Sequence, residues 1–242
     1  MESEISIIIP TLNNVKGIKY LSNYFKDKLY KVIIVDNKEK NLGFAGGVNR
    51  GAKSVKTKWM VILNDDVEFE GDPIQELIVE AEKNKLDAVS PILINPNGKV
   101  ENFGYKILPY GRINLILNTK YKILNTDLDG LTAACLLIKT SVFKKLGGFD
   151  EKFFAYLEDV DFFLRFKKAG YKMGIASIEV LHNHMTTTAT MGNFKARQDM
   201  VNWWRLYFKH KEKFIFNLQF ILERLRNISR FIKVTILTRK VL

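Results

Sequence analysis

The chain contains one cysteine and no long apolar run. A single thiol cannot form a disulfide within the chain, and because Cys135 lies in an apolar stretch, we expect it to be buried and structural. The apolar runs fall short of the roughly 20 residues that a membrane-spanning helix needs. The first residues lack the basic region and the cleavage site of a secretory signal, so we expect a protein of the reducing cytoplasm.

Positive charge is concentrated at one end of the chain. The formal net charge is +12, and residues 203–242 hold 10 Lys and Arg against 2 Asp and Glu. Residues 1–202 hold 28 against 24 and are nearly neutral. This segregation predicts a basic appendage that faces an anionic partner, such as phospholipid head groups or nucleic acid.

Short apolar runs alternate with segments of helical spacing. The runs are continuous, which is typical of strands buried on both faces of a mainly parallel sheet with crossover helices. We predict a Rossmann-like α/β domain over residues 1–192 and a helical segment over residues 193–242. Residues 95–129 are predicted to form hairpins and loops, and residues 185–192 a mobile loop. The predicted strands are residues 5–9, 31–35, 59–63, 88–94 and 131–139, and the predicted helices are residues 17–28, 46–55, a segment from Pro73, 140–146 and 158–169.

Acidic residues stand at the ends of two predicted strands. Asp36 ends the second strand, and Asp65 and Asp66 follow the third. A single Asp at such a position is usually a turn residue or a helix cap. Adjacent carboxylates, however, repel each other unless a cation binds them, and ligands bind at this edge of parallel sheets. We therefore predict that the pair bridges a hard divalent cation to a diphosphate.

A glycine-rich loop at residues 41–51 leads into a predicted helix. Its glycines would let the backbone approach a nucleotide, and its amides would be free to bind negative charge. The spacing is neither that of the dinucleotide fingerprint nor that of the phosphate loop ending in Gly-Lys-Ser/Thr.

Three acids, Glu158, Asp159 and Asp161, follow an aromatic stretch at residues 153–156. Acids at a helix N-terminus can act as caps, which explains Glu158 and Asp161 equally well. We predict that Asp159 is a general base, because the aromatic side chains would screen it from bulk water. Asp161 lies one turn before Arg165 and is predicted to form a structural ion pair.

These elements together resemble family 2 of the glycosyltransferases, and in particular its rhamnosyltransferase-like branch. The resemblance implies a GT-A fold, a nucleoside-diphosphate sugar donor such as dTDP-rhamnose, and Mg or Mn. It also implies inverting transfer to a hydroxyl of a glycan or lipid-linked acceptor in cell-surface polysaccharide synthesis. The matching elements, in the family's order over about residues 5–184, are Ile9-Pro10-Thr11, Val35-Asp36-Asn37, the 41–51 loop, Leu63-Asn64-Asp65-Asp66, Gly148-Phe149-Asp150, Glu158-Asp159-Val160-Asp161 and His182.

The resemblance also implies roles for residues of the nucleotide pocket. Thr11 and Asp36 would hold the base of the nucleotide. Asn41, Gly46 and Gly47 would line the pocket.

Further roles concern the diphosphate, the metal and the acceptor. Asp65 would approach the ribose or the diphosphate, Asp66 and His182 would bind the metal, and Asp159 would be the general base. Many relatives have Asp where this chain has an Asn at position 64, which favours Asp66 over Asp65 as the ligand. His184 competes with His182 for the metal role.

The tail from residue 203 interleaves aromatic and aliphatic residues with Lys and Arg at helical spacing. We interpret it as an interfacial amphipathic helix on an anionic membrane surface, so that the protein is peripheral on the cytoplasmic face of the cell membrane. Packing on the core, or on a second subunit in a homo-oligomer, is the alternative.

Two other functions are weighed against glycosyl transfer. A sugar-nucleotidyltransferase should carry a glycine-rich loop with Arg or Lys directly after the first strand, where residues 10–14 read Pro-Thr-Leu-Asn-Asn. A basic nucleic-acid-binding module should bind with a steep salt dependence. Nothing in the catalytic portion calls for a nucleic acid partner.

Overall fold

The structure is a computed structural model that describes residues 5–102, 104–116, 128–183 and 192–239. The strands are β1 (Ile5–Thr11), β2 (Lys31–Asp36), β3 (Trp59–Leu63), β4 (Val67–Glu68), β5 (Ala88–Ile94), β6 (Val100–Asn102), β7 (Tyr105–Leu108), β8 (Arg112–Leu115), β9 (Cys135–Lys139) and β10 (Met173–His182). The α-helices are α1 (Val15–Phe25), α2 (Gly43–Lys53), α3 (Pro73–Lys83), α4 (Thr140–Lys145), α5 (Glu158–Lys168), α6 (Phe194–Lys209) and α7 (Leu218–Arg239).

Eight strands of the described residues form one mixed sheet in the order β2-β1-β3-β9-β5-β10-β4, with β6 paired to β5. β1 pairs in parallel with β2 and β3, and β5 pairs in parallel with β10. β9 lies antiparallel between β3 and β5. Five of the strands, β1, β2, β3, β5 and β10, therefore run in one direction, and the predicted mainly parallel α/β class is confirmed.

Helices cover both faces of the sheet. One apolar cluster packs the sheet against α2, α4 and α5, and a second packs it against α1 and α3. β1 and β3 are buried throughout, and Cys135 is buried as expected. The prediction of burial on both faces is wrong for β2, where Ile34 is 42% exposed. β2 is an edge strand, and the helices cover the middle of the sheet.

Some predicted boundaries shift by a few residues. α2 begins at Gly43, three residues before the predicted start, and β9 begins at Cys135, four residues after it. The hairpins predicted in residues 95–129 include β7 and β8, which pair antiparallel. Residues 117–127, and residues 185–191 of the predicted mobile loop, lie outside the described part of the chain.

The C-terminal helices share an apolar cluster with the α/β part. Trp203 and Leu206 of α6, with Phe214 and Phe220 beyond it, pack against side chains of β7 and of residues 153–160. α7 in turn packs on α6. The first half of the tail thus packs on the core, as the alternative interpretation predicts. The domain boundary at residue 193 stays a prediction. None of the helices in the described segments is long and apolar enough to cross a membrane.

Candidate active site

The carboxylate of Asp65 is held at the carboxyl end of the sheet. The Thr11 hydroxyl at the end of β1 donates a hydrogen bond of 2.5 Å to Asp65 Oδ2. Asn14 Nδ2 lies 3.1 Å from Oδ1 and 2.9 Å from the Asp65 carbonyl oxygen. Burial raises the pKa of Asp65, and the bonds from Thr11 and Asn14 oppose that rise. The structure thus brings Thr11 and Asp65 together, and it adds Asn14, which the sequence did not single out.

Asp36 lies beside Thr11, because the two residues are register partners on the parallel strands β1 and β2. Its side chain is exposed, and Oδ1 accepts a bond of 2.8 Å from the Lys38 amide. Asn41 is also exposed, and its Oδ1 accepts a bond of 2.9 Å from the amide of Gly43 at the start of α2. Asp36 therefore stands at the rim of the sheet, next to the turn that Asn41 closes.

The start of α2 contacts the loop that precedes α5. Gly43 has a φ of +68°, and a Cβ atom there would lie 2.3 Å from the carbonyl oxygen of Phe154. The Ala45 amide donates to that same oxygen at 3.1 Å. The expectation of free amides is therefore wrong for Gly43 and Ala45, because protein oxygens already accept from them.

Gly46 and Gly47 are buried inside α2. A Cβ atom on Gly47 would lie 3.0 Å from both Pro10 Cβ and Asn37 Nδ2. One on Gly46 would lie 2.8 Å from Leu42 Cβ. Gly47 lets α2 approach the ends of β1 and β2. The role of both glycines in lining a nucleotide pocket stays a prediction.

Asp66 and His182 meet where β4 pairs antiparallel with β10. His182 Nε2 lies 3.2 Å from Asp66 Oδ1, and Nδ1 lies 3.3 Å from Glu101 Oε2. Burial lowers the pKa of His182, but the carboxylates of Asp66 and Glu101 outweigh it and raise that pKa above its ordinary value. The two predicted metal ligands are therefore neighbours, and Glu101 faces the other ring nitrogen.

The chemistry of this pair fits a divalent cation. Asp66 Oδ1 is buried, and its polar contact among the described residues is His182 Nε2 at 3.2 Å, without the alignment of a hydrogen bond. A cation between the two would supply a positive partner for this oxygen. Within the described segments, no group of three or more His, Cys, Asp or Glu side chains could hold a metal by itself. Asp66 supplies the kind of carboxylate that Mg and Mn prefer, and substrate phosphates commonly complete such a site. His184 lies outside the described residues.

A strained turn delivers the acidic cluster at the start of α5. Phe154, Tyr156 and Leu157 have φ values of 61°, 67° and 66°, a region that side chains with a Cβ rarely adopt. Glu158 follows and is buried, and Asp159 is partly buried. Strain of this kind concentrates at functional sites, where the surrounding structure enforces it.

Burial raises the pKa of both Glu158 and Asp159. Asp159 is stabilised as an anion by the amides of Val160, at 2.8 Å, and Ala133. Glu158 Oε2 is buried without a partner, and the charge of Asp159 raises the Glu158 pKa further. Asp159 therefore loses its proton first and is the one of the two that is ionised, and so available to accept a proton, near neutral pH.

Residues 133 and 134 connect the two halves of the site. The Ala133 amide donates to the Asp159 carboxylate, and the Ala134 carbonyl oxygen accepts a bond of 2.8 Å from the Asn64 amide. Asn64 directly precedes Asp65 and Asp66. One short segment therefore lies next to both the base candidate and the residue that precedes the strand-end carboxylates.

Asp161 is fully buried among cationic groups. It accepts bonds from Arg165 Nη2, Lys209 Nζ and His210 Nε2, each at 2.8 Å. Burial raises the pKa of Asp161, but these partners outweigh it and lower that pKa below its ordinary value. The predicted ion pair with Arg165 is confirmed. The partners on and after α6 were missed, because nothing in the sequence indicates a pairing across about 50 residues.

A family model described as Glycosyl transferase family 2 matches residues 18–147. An N-acetylglucosaminyl-diphospho-decaprenol L-rhamnosyltransferase of Mycobacterium tuberculosis is 28% identical over 177 residues, which cover 61% of this chain and 58% of the relative. The low-salt glycan biosynthesis hexosyltransferase Agl10 of Haloferax volcanii is 23% identical over 212 residues, covering 76% of this chain and 68% of that protein. The chain thus spans about 58% of the length of the rhamnosyltransferase.

Two crystal structures share the fold. GalNAc-T7 with UDP, GalNAc and Mn2+ aligns with a TM-score of 0.59 at 13% identity, over 84% of this chain and 47% of that protein. TarS of S. aureus aligns with a TM-score of 0.54 at 15% identity, over 82% and 39%. The predicted GT-A fold is therefore confirmed, together with the resemblance seen in the motifs. By its family model and its relatives, this chain belongs to glycosyl transferase family 2.

Proposed function

We propose that this chain is an inverting, metal-dependent glycosyltransferase. It moves a sugar from a nucleoside-diphosphate donor to a hydroxyl of a glycan or lipid-linked acceptor in cell-surface polysaccharide synthesis. The observation that carries this proposal is that residues 133 and 134 lie between Asp159, whose pKa the Ala133 amide lowers, and the backbone of Asn64, which directly precedes Asp65 and Asp66. That arrangement supplies a base for the acceptor and ligands for the donor in one site.

The donor half is assigned to the strand ends. Asp36 is exposed beside Thr11, where it can accept hydrogen bonds from the nucleotide base. Asn41, Gly46 and Gly47 flank that rim. Asp65, fixed by the Thr11 hydroxyl, faces the ribose or the diphosphate.

Asp66 and His182 are assigned to the metal, either Mg or Mn. When bound, a divalent cation stabilises the charge that develops on the departing diphosphate. The buried oxygen of Asp66 and Nε2 of His182, 3.2 Å apart, support these roles. With a cation bound, Nδ1 of His182 would donate to Glu101, 3.3 Å away, and the lone pair of Nε2 would be directed at the cation.

Asp159 is assigned to the acceptor. Its carboxylate accepts the proton of the acceptor hydroxyl while the oxygen attacks the anomeric carbon from the side opposite the leaving diphosphate. One direct displacement inverts the configuration and needs no covalent enzyme intermediate. Glu158 keeps its proton more strongly and therefore does not compete for this role.

The name of the mycobacterial relative suggests substrates for a direct test. We expect transfer from dTDP-rhamnose to an N-acetylglucosaminyl-diphospho-polyprenol, with a product whose anomeric configuration, read by NMR, is inverted. Turnover of a nucleoside triphosphate with a sugar 1-phosphate, and no transfer, would indicate a sugar-nucleotidyltransferase instead. The structure favours transfer, since Thr11 and Asn14 after β1 bind Asp65 and form no phosphate loop.

We also propose that α7 binds an anionic membrane on the cytoplasmic face. One side of α7 is buried through Phe220 and Arg224. The other side carries basic residues at positions 226, 230 and 233, which would face anionic head groups. It also carries an exposed apolar stripe that consists of Leu218, Leu222, Leu225, Ile228, Ile232 and Ile236.

Liposome flotation tests this surface. Leu225→Glu combined with Ile232→Glu should release the protein from anionic vesicles and spare turnover of a soluble acceptor. Val79→Glu on α3 is the matched control, because Val79 is an exposed apolar residue of another helix. If the double variant still binds vesicles but changes its oligomeric state, the apolar stripe is instead a subunit interface of a homo-oligomer.

A further inference from the structure

One side chain of α6 lies within hydrogen-bond distance of three carbonyl groups in the turn before the acidic cluster. Asn202 is fully buried, and its Nδ2 lies 2.9 Å from the carbonyl oxygens of Phe153 and Ala155 and 2.7 Å from that of Tyr156. Two amide hydrogens are thus shared among three carbonyl groups. The orientation of the amide is set by Arg205, whose Nη1 donates to Asn202 Oδ1 at 2.7 Å.

These carbonyl groups belong to the strained segment itself. Residues 154, 156 and 157 have positive φ values, so this backbone conformation is not the one that the sequence alone prefers. Carbonyl groups that are withdrawn from water need donors, and in this conformation of the turn the buried Asn202 amide supplies them. Glu158 and Asp159 follow the turn directly, so its shape decides where they point.

We propose that Asn202 is a positioning residue for sugar transfer, which holds the strained turn so that Asp159 reaches the acceptor hydroxyl. The inference rests on the proposed role of Asp159 as the base. A base must lie within about 2.6–3.2 Å of the proton-bearing atom. A misplacement of about 1 Å can cost roughly 100-fold in rate. The C-terminal helix α6 is therefore part of the catalytic apparatus.

The donor half of the site gives this role a distinct kinetic signature. Asp65 is held by Thr11 of β1 and by Asn14, which directly precedes α1, and Asp66 lies beside His182 of β10. None of the hydrogen bonds described for Thr11, Asp65 and Asp66 comes from α6. Asn202→Ala should therefore lower kcat at least about tenfold and leave the KM for the donor within about threefold.

The pH profile gives a second readout. Asp159 is surrounded by the neighbouring Glu158, by Lys195 of α6 and by Tyr105 of β7. Its raised pKa comes first from burial, so a relaxed turn that admits water should move the acid limb of kcat to lower pH. A purely structural role would lower the melting temperature without moving that limb.

Asn193→Ala is the matched control. Asn193 directly precedes α6 and donates to Thr235 Oγ1 of α7 at 2.7 Å, so its loss weakens the contact between α6 and α7 and not the turn. This variant should keep the wild-type kcat and pH profile. If Asn202→Ala does not fold, Asn202→Ser, which keeps one donor, carries the same comparison.

The inference is overturned if a folded Asn202 variant has the wild-type kcat and pH profile while Asp159→Asn is inactive. The proposed function is unaffected by that result. An equal loss in kcat and in donor affinity also overturns it, because that result indicates general distortion. If Asp159→Asn itself retains turnover, the assignment of the base fails, and the positioning role fails with it.

Discussion

Replacing Asp159 by Asn is the sharpest test of the proposed chemistry. The substitution keeps the shape of the side chain and can retain the bond from the Val160 amide, which Asp159 Oδ1 accepts at 2.8 Å. It removes the basic oxygen that would take the proton of the acceptor. The fold and the donor half of the site should therefore be unchanged, while the displacement step loses its base.

The expected magnitude follows from what a base contributes. A positioned general base is worth typically about 100- to 10,000-fold, or about 2.7–5.4 kcal/mol in the activation free energy. In the wild-type enzyme, the base form is lost as the pH falls through the raised pKa of Asp159. The acid limb of kcat should accordingly lie well above about pH 3.9, the ordinary pKa of Asp.

The assay is steady-state transfer at saturating donor, with donor affinity measured separately by calorimetry. Glu158→Gln is the control at the adjacent position, and it should be the milder change, because Glu158 holds its proton more strongly than Asp159 does. If Asp159→Asn keeps near-normal turnover and Glu158→Gln loses it, the base is Glu158 and the assignment of Asp159 is wrong.

Three further predictions concern the rest of the site. Asp36→Ala should weaken nucleotide binding at least about tenfold, or about 1.4 kcal/mol, without unfolding the protein; unchanged affinity in calorimetry would remove this residue from the pocket. Asp66→Ala should nearly abolish activity at ordinary Mg or Mn concentrations, and full activity of the wild type in chelator would contradict the metal assignment. Asp161→Asn should lower the free energy of unfolding by about 1.5–3 kcal/mol in denaturant titrations, because it removes the buried carboxylate that accepts hydrogen bonds from Arg165, Lys209 and His210. Since the pKa of Asp161 is lowered in the folded state, that stabilisation is present above the unfolded pKa and is lost as the pH falls through the folded value; a stability difference that persists at low pH would argue against it.

Much of the fold could be predicted from local patterns. β1 and β3 are continuous apolar runs because both of their faces are buried, and α3 begins at Pro73, a residue that suits the first position of a helix. The direction of β9 could not be predicted, because an apolar run does not show which way the strand lies in the sheet. The exposure of Ile34 on β2 depends equally on the order of the strands, which is a property of the whole sheet.

The site was predictable where its chemistry lies in short motifs. Asp65 and Asp66 follow a strand, and the structure places Thr11 on Asp65 and His182 beside Asp66. Glu101 was missed because it lies in a stretch without a clear period.

The contribution of α6 was missed for a different reason. Asn202 and Lys209 act on residues about 50 positions earlier, through contacts that only the folded chain creates. The aromatic residues of α6 were interpreted as facing a membrane, whereas Trp203 and Leu206 are buried in the cluster that supports the turn. The spacing of the apolar residues predicts that such a helix is amphipathic. It does not indicate whether the protein core, another subunit or a membrane covers the apolar face.

The release of nucleoside diphosphate from a panel of nucleotide sugars tests the central claim most directly. The wild-type protein should release it from one donor, with dTDP-rhamnose as the first candidate, only when Mg or Mn is present, and Asp66→Ala should not. Two results would contradict the assignment of this site to metal-dependent sugar transfer. One is release that continues in chelator, and the other is a folded protein that, supplied with acceptor, releases nucleoside diphosphate from no nucleotide sugar.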